Sequence, residues 1–319
     1  MKPRRWVACL VLLVFSGVVL AQGFPSRTVT LVVPNPPGGA IDIQARVYAQ
    51  KLQELWGQPV IVDYKPGAGT LLGMEHVAKS PPDGHMLCLV VTPLVILPAL
   101  REKMPYDTLK DLAPVTLTGV SSIMIAGSPT LQAGSIAELI ALARKQPGKL
   151  TYASPGLGSS MHLAGELLKM EAGIDLLHVP FKGGAQAYPE LMAGRIDLQL
   201  DPTFGIYRHV KAGKMKAIAV TSARRDPSAA EVPTVAETLP GFNVVSINGV
   251  VAAGGTPREL ARRISGDFRK VLHEPDTAKR LQDLGIEPVG NTPEEFGAFI
   301  KSEIERWTRV AKAANVKME

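Results

Sequence analysis

The sequence predicts an α/β fold in two lobes, and three observations lead there. Short, nearly continuous apolar runs alternate with segments of helical period, the pattern of strands covered on both faces. Glycine- and proline-rich turns stand where a strand run passes into a helical one. No low-complexity linker and no fixed-period repeat divides the chain, although its 319 residues suffice for two domains. Two α/β units without a linker imply that one is inserted in the other, so that the chain crosses between them twice.

The first 22 residues are set apart as a signal peptide. "MKPRRW" is basic, "VACLVLLVFSGVVL" is apolar but short for a membrane span, and "LAQG" offers small residues for cleavage near Ala21. Arg4 and Arg5 lack further signs of twin-arginine export, and Cys9 precedes most of the apolar run, unlike a lipid-anchored cysteine. The mature chain is therefore expected outside the cytoplasm. Loss of Lys2, Arg4 and Arg5 with the leader lowers the formal net charge from +6 to +3. With no basic–aromatic interleaving, that balance speaks against a nucleic-acid surface. Cys88, inside "MLCLVV", is the one cysteine left, so no disulfide forms within the mature chain and the thiol is expected in the core.

Strand runs fall at 28–33, 59–64, 85–91, 150–154, 175–180, 196–200 and 215–221. Between the first two lies helix 41–56, with Ile41, Ala45, Tyr48, Leu52 and Leu55 at helical spacing. This alternation predicts parallel sheets. Ser135 with Glu138, Thr256 with Glu259 and Thr292 with Glu295 each have capping-box spacing. Pro257 and Pro293 then occupy first helical positions, and the chain from Thr256 onward reads as almost wholly helical. Segments 113–120 and 219–226 are extended and suit the two crossings. Lobe 1 is accordingly expected to comprise 23–115 and 228–319, and lobe 2 to comprise 116–227. A cleft between them would be walled by loops at strand C-termini, where open α/β sheets bind ligands.

Four turns stand at such positions. In "VVPNPPGGAID" (32–42), Gly38 and Gly39 let a ligand approach the backbone, and the following helix start offers unpaired N–H groups. A carboxylate or phosphate is the natural guest, against the plain alternative of an ordinary strand–helix turn. Asp42 either caps its own helix or touches a ligand. "ASPGLGSSMHLAGE" (153–166) repeats the design and adds the Ser159 and Ser160 hydroxyls. Met161 stands where a dinucleotide fingerprint has its third glycine, and no phosphate-binding lysine follows. His162 and Glu166 share a helix face, but one such pair without further ligands makes no metal site. "VPFKGGAQA" (179–187) places Gly183 and Gly184 at another helix start beside Lys182, which pairs with an anion or lies solvated. In "LQLDP" (198–202), Asp201 ends a strand and accepts from a ligand or caps the next helix.

No catalytic constellation accompanies these loops. There is no G-x-S-x-G elbow and no H-E-x-x-H, and the six histidines (76, 85, 162, 178, 209, 273) form no ligand-spaced cluster. No cofactor and no metal are expected. Anion-suited loops without chemistry read as binding.

The runs "PNPPGGAIDIQARVYAQKL", "GQPVIVDYKPGAGTLLGMEHVAKSPPDG", "KQPGKLTYASPGLGSSMHLAGELL", "HVPFKGGAQAYPELMAGRID", "VKAGKMKAIAVTSARRDP", "VPTVAE" and "GTPRELARRI" follow one another in order. Together they resemble the periplasmic solute receptors of tripartite tricarboxylate transporters, the Bordetella uptake gene (Bug) family. The resemblance covers essentially the whole mature chain. It implies a periplasmic-binding-protein-like Venus flytrap, two α/β lobes closing on a small carboxylated compound held by backbone groups and ordered waters. By position, the contacts would come from Pro37, Gly38, Gly39 and Ala40 on one lobe, facing Ser154, Ser159, Ser160, Lys182, Gly183, Gly184 and Asp201 on the other. It also implies a monomer that hands its ligand to the membrane permease subunits. A sensor protein as partner, or a secreted enzyme acting on organic acids, are the alternatives.

The chain departs from the family pattern at several places. Asn35 stands for an aromatic residue and Ile41 for threonine. "LVVTP" (89–93), whose Thr92 is counted with the site, stands for a run of glycine, threonine and serine. Pro202 after Asp201 replaces asparagine, and Ile247 replaces tryptophan. Fewer hydroxyls and more aliphatic surface predict a ligand that keeps the family's one conserved carboxylate and has a less polar far end than a tricarboxylate.

Overall fold

A computed structural model describes residues 23–318, so the expected leader lies outside the described residues. The chain opens with β1 (Val29–Val33), α1 (Ala40–Trp56), β2 (Val60–Tyr64), α2 (Leu71–Ala78), β3 (Met86–Val91) and α3 (Pro93–Leu100). Here are the apolar runs of the sequence, with Leu31, Val32, Val33, Leu87 and Cys88 wholly buried. β1 pairs in parallel with β2 and with β3, each return passing through a helix. Gly57 ends α1 in the left-handed region at φ 64°, its N–H closing on the Gln53 carbonyl.

The longest strand follows, β4 (Leu112–Gly127), and then α4 (Ile136–Lys145), β5 (Thr151–Ser154), α5 (Ser160–Ala172) and β6 (Leu177–Pro180). After them come α6 (Tyr188–Met192), β7 (Leu198–Pro202), α7 (Thr203–Lys211) and β8 (Lys216–Val220). The chain returns through β9 (Val245–Ala253) and finishes with α8 (Arg258–Leu272), α9 (Pro275–Asp283), β10 (Glu287–Pro288) and α10 (Pro293–Ala313). The strands join in the order β2-β1-β3-β9-β4-β7-β5-β6, with β8 and β10 also paired to β4.

β4 belongs to both halves of this order. Its residues 112–122 pair antiparallel with β9, and its residues 123–127 pair with β7 and β8. The sheet is therefore mixed, where parallel pairing was expected. Every antiparallel pair involves β4 or β9, and these two long strands are absent from the strand runs read above. Both carry Thr, Ser, Gly or Asn at the level where the pairing changes, which breaks the apolar pattern. The pairing changes at Ser122 and Ile123, and on the return between Val220 and Val245. One unbroken strand makes the passage from the first half to the second. On the return, Ala229 and Val232 still pack with Ile206 and Val220 of the second half.

Two of the three expected caps form. Thr292 and Glu295 make a full capping box with Pro293 in the first turn of α10. Ser135 accepts from the Glu138 N–H, while the Glu138 carboxylate turns to the Gly134 N–H at 2.7 Å. At the third, Pro257 is extended and serves as N-cap of α8, and the Thr256 hydroxyl donates to the Ala253 carbonyl at 2.7 Å. Proline's lack of an N–H leaves Glu259 without the reciprocal partner of a box at that end.

One face of the first half packs against α1 and α8, where the Tyr48 and Phe268 rings meet edge-on at 5.7 Å. The opposite face packs against α3, α5 and α10, and this core runs without a break across both halves. Among the described residues, no helix is long and apolar enough to cross a membrane. Phe268 is wholly buried, so Phe268→Ala should lower the unfolding free energy by about 3–5 kcal/mol in urea denaturation. A loss under about 1 kcal/mol would mean that this ring does not anchor α8.

Candidate ligand-binding site

β3 ends at Val91, opposite Asn248 of β9, which in turn faces Gly119 of β4. Four residues farther along β4, Ile123 faces Pro202, the end of β7. The C-terminal edges of the two strand sets thus look toward each other along one strand, about 13 Å apart at a strand's rise per residue. Every loop singled out in the sequence emerges from one of these edges.

The loop after β1 presents Pro37, Gly38, Gly39 and Ala40 at the surface. Gly38 has φ +96°, which only glycine adopts without strain, and its N–H donates to Asp42 Oδ2 at 2.8 Å. Asp42 Oδ1 accepts from the Tyr64 hydroxyl at 2.5 Å and from Arg46 Nε at 2.8 Å. The Tyr64 hydrogen bond above all, with the Gly38 N–H next, holds this carboxyl below its usual range. Asp42 therefore anchors the loop, while Gly39 caps α1 with no side chain at all. Among the described residues the Gly39, Ala40 and Ile41 amides have no acceptor. They form a short cluster of donors at the positive end of a 17-residue helix.

The loop after β5 has the same build. Ser159 caps α5, accepting from the His162 N–H and donating to the Gly156 carbonyl at 2.7 Å. The Ser160 and Met161 amides have no acceptor among the described residues. The Ser160 hydroxyl is half-buried and touches only the Met161 sulfur at 3.2 Å. Ser154, by contrast, is wholly buried, its hydroxyl engaged by Gly156 and His178 within the loop. Of the serines expected to face a ligand, Ser160 is free, Ser159 is occupied by its helix, and Ser154 lies underneath.

Beside this loop, Lys182 is exposed, with no acidic partner among the described residues. Gly183 (φ +119°) and Gly184 open a short 3-10 turn. Gly184 must lack a side chain, since a Cβ there would lie 2.3 Å from both Asp201 oxygens. Asp201 is buried, and Oδ2 accepts from the Tyr188 hydroxyl at 2.5 Å. Burial pushes its pKa up to about 6, against a lowering by Tyr188. Thr92 is buried at the head of α3, and its hydroxyl oxygen accepts from the Ile247 N–H at 3.1 Å.

The departures from the family pattern do not all reach the loop surface. Ile41, Leu89 and Ile247 are buried in the cores behind the loops, since strand and helix periodicity turns them inward. Leu157 is instead the apolar residue on display, 67% exposed between Gly156 and Gly158. Sequence reasoning also passed over the loop after β2. There Ala68 and Thr70 hold positive φ without being glycine, and the buried Thr70 hydroxyl has no hydrogen-bond partner among the described residues. Backbone strain thus coincides with an orphan hydroxyl at a strand C-terminus; the GAG of "KPGAGT" was its signal. Asn35 Oδ1 is a second orphan acceptor. A cavity of about 330 Å³ lies at the joint, lined by Ser122, Ser222, Arg224, Asp226 and Glu287. It touches none of the glycine loops, and its acidic and basic side chains already pair or cap within the chain.

Asp201 generates a pH prediction. Its folded pKa of about 6 exceeds the ordinary 3.8, so the native state holds a proton that the unfolded chain releases between these values. The associated stability is full below 3.8 and is lost as pH rises through 6. Asp201→Asn should flatten this part of the stability–pH curve and stabilise the fold at pH 7.5 by at most about 3 kcal/mol. An unchanged slope in denaturation series from pH 4 to pH 7.5 would contradict the assignment.

Comparison with known proteins places this geometry. Residues 44–316 match the family model described as tripartite tricarboxylate transporter family receptor. A Pseudomonas sp. (strain P51) protein, described as a UPF0065 protein in the tcbD-tcbE intergenic region, is 39% identical over 312 residues, covering 96% of this chain and 93% of that protein. The solved structure of Rpa4515 from R. palustris with adipate is 33% identical, with a TM-score of 0.74 over 92% of this chain and 99% of that one. A solute binding protein from Polaromonas, solved with no ligand, is 25% identical, with a TM-score of 0.83 over 91% of this chain and 99% of that one. The fold is the two-lobed Venus flytrap of periplasmic binding proteins, and the chain belongs to the tripartite tricarboxylate transporter receptor family.

Proposed function

We propose that this receptor captures a small carboxylic acid in the periplasm and delivers it, as a monomer and without chemical change, to the permease subunits of a tripartite transporter. The single observation that carries this reading is the pair of helix starts described above. α1 and α5 begin at glycine loops on opposite sides of one joint, each with unpaired amides. A carboxylate answers such donors, and closure of the two halves around it makes binding selective for acids that reach both. Leaving the side chains out of the first grip suits a scaffold that accommodates different acids through water.

The exposed Leu157 between the two glycines supports an acid whose second part is apolar, and the adipate bound by the R. palustris relative has such a part in its methylene chain. The similarity is higher to the unliganded Polaromonas protein than to the adipate complex, although the latter is closer in sequence, which supports reading this conformation as the unliganded one. We place the lobe crossings at 122/123 and within 221–244, and we read the first 22 residues as the export signal.

A thermal-shift panel of adipate, malate, citrate and benzoate tests the reading. An acid present at a hundred times its dissociation constant should stabilise the fold by about 2.7 kcal/mol. Adipate should exceed citrate, and Gly38→Val, which strains a backbone at φ +96°, should abolish the shift while leaving the apo fold intact. Tight citrate binding with none for adipate would overturn the ligand class. A full shift in Gly38→Val would remove the first loop from the site.

A further inference from the structure

Two histidines lie beneath the second loop, and the receptor reading leaves them without a role. His162, on the first turn of α5, and His178, on β6, stack face to face with ring centroids 3.9 Å apart and planes 18° apart. The ring of Tyr152 on β5 closes the stack against His178 at 4.8 Å. Each imidazole reaches up into the loop. His162 Nδ1 accepts from the Gly158 N–H at 3.1 Å, and His178 Nε2 lies 2.7 Å from the Ser154 hydroxyl. Gly158 has φ +72°, and a Cβ there would lie 2.6 Å from the Met318 sulfur and 3.0 Å from Leu100, so the chain end and α3 press on the loop from another side.

We propose that His162 and His178 are positioning residues of the ligand site: as a stacked neutral pair they hold the loop between Ser154 and Ser160 in its binding shape before any ligand arrives. The proposal rests on the reading of this loop as half of the site. Without the pair, the Gly158 N–H would seek another acceptor, and the nearest new one is the anion that the loop should present to Ser160 and Met161. Accepting through Nδ1 obliges His162 to carry its proton on Nε2. When His178 carries its proton on Nε2 as well, it donates to Ser154, which donates in turn to the Gly156 carbonyl at 3.1 Å, so the Ser154 hydroxyl is both acceptor and donor. Stacking forbids a charge on both rings. Burial keeps His162 below its usual pKa and pushes His178 down to about 3, with the neighbouring His162 and Lys169 adding to the effect. Glu166, the carboxylate in reach of His162, is occupied by the Tyr152 hydroxyl and by Lys169.

Amide hydrogen exchange of the apo protein tests the proposal without a ligand. The Gly158 amide should exchange about tenfold faster in His162→Ala, and His162→Asn, whose Oδ1 replaces Nδ1, should restore protection. In the unmodified protein, nitrogen NMR should find His162 in the Nε2–H form. An Nδ1–H form, or unchanged exchange in His162→Ala, would overturn the proposal. For binding, adipate is the probe: His178→Leu should weaken its affinity about tenfold and His178→Gln should recover most of it. A loosened Gly158 with unaltered adipate affinity would instead sink the assignment of this loop to the ligand site.

Discussion

One strand has to satisfy two sheets, and most of the molecule follows from that. The 16 residues of β4 hydrogen-bond to β9 along their first part and to β7 and β8 along their last. A strand so occupied cannot bend freely, so the two sets of strand ends stay within a fixed reach of each other. Side-chain register does the rest. β4 and β9 carry polar residues near the level where the pairing changes, and there Asn248 receives Gln44 of α1 at 3.1 Å, tying the first loop's helix to the joint. The continuous core under α3, α5 and α10 backs both halves from behind. Opening and closing can therefore be a small rotation at the joint with both loop sets left intact.

Within that frame, the loops leave main-chain donors unsatisfied. Their side chains mostly look after the loops themselves. Asp42 clamps Gly38, Ser159 caps α5, and Ser154 is locked under the turn. What remains open at the tips is mainly backbone N–H, with the Ser160 hydroxyl and the exposed Lys182 beside it, and all of these favour an anion. That is the chemistry of capture. Asp201 is the exception, a buried carboxyl close to the Gly184 turn with Tyr188 as its partner, and it gives the second half a group whose charge depends on pH.

Much of this was legible in the residues. The seven apolar runs became strands to within one or two residues, and both principal glycine turns precede helices whose first amides are free. The capping box at Thr292 could be read directly, because its spacing is local. What escaped was non-local. β4 and β9 lack the continuous apolar signature because they serve the joint, and their antiparallel pairing depends on partners more than a hundred residues away. The same limit misled the view of the departures from the family pattern. Ile41 stands between Ala40 and Asp42 in sequence, yet periodicity turns it into the core, as it does Ile247. The imidazole stack under the second loop joins α5 to β6, and no spacing rule connects His162 with His178.

The central claim is that two helix starts, one from each half, grip the same carboxylated ligand. It is tested most directly by following backbone amide resonances while adipate is added. The account predicts that Ala40 and Ile41 on one side, and Ser160 and Met161 on the other, shift together with a single binding curve. Shifts confined to one of the two loops, or absent from both while the acid still binds, would contradict it.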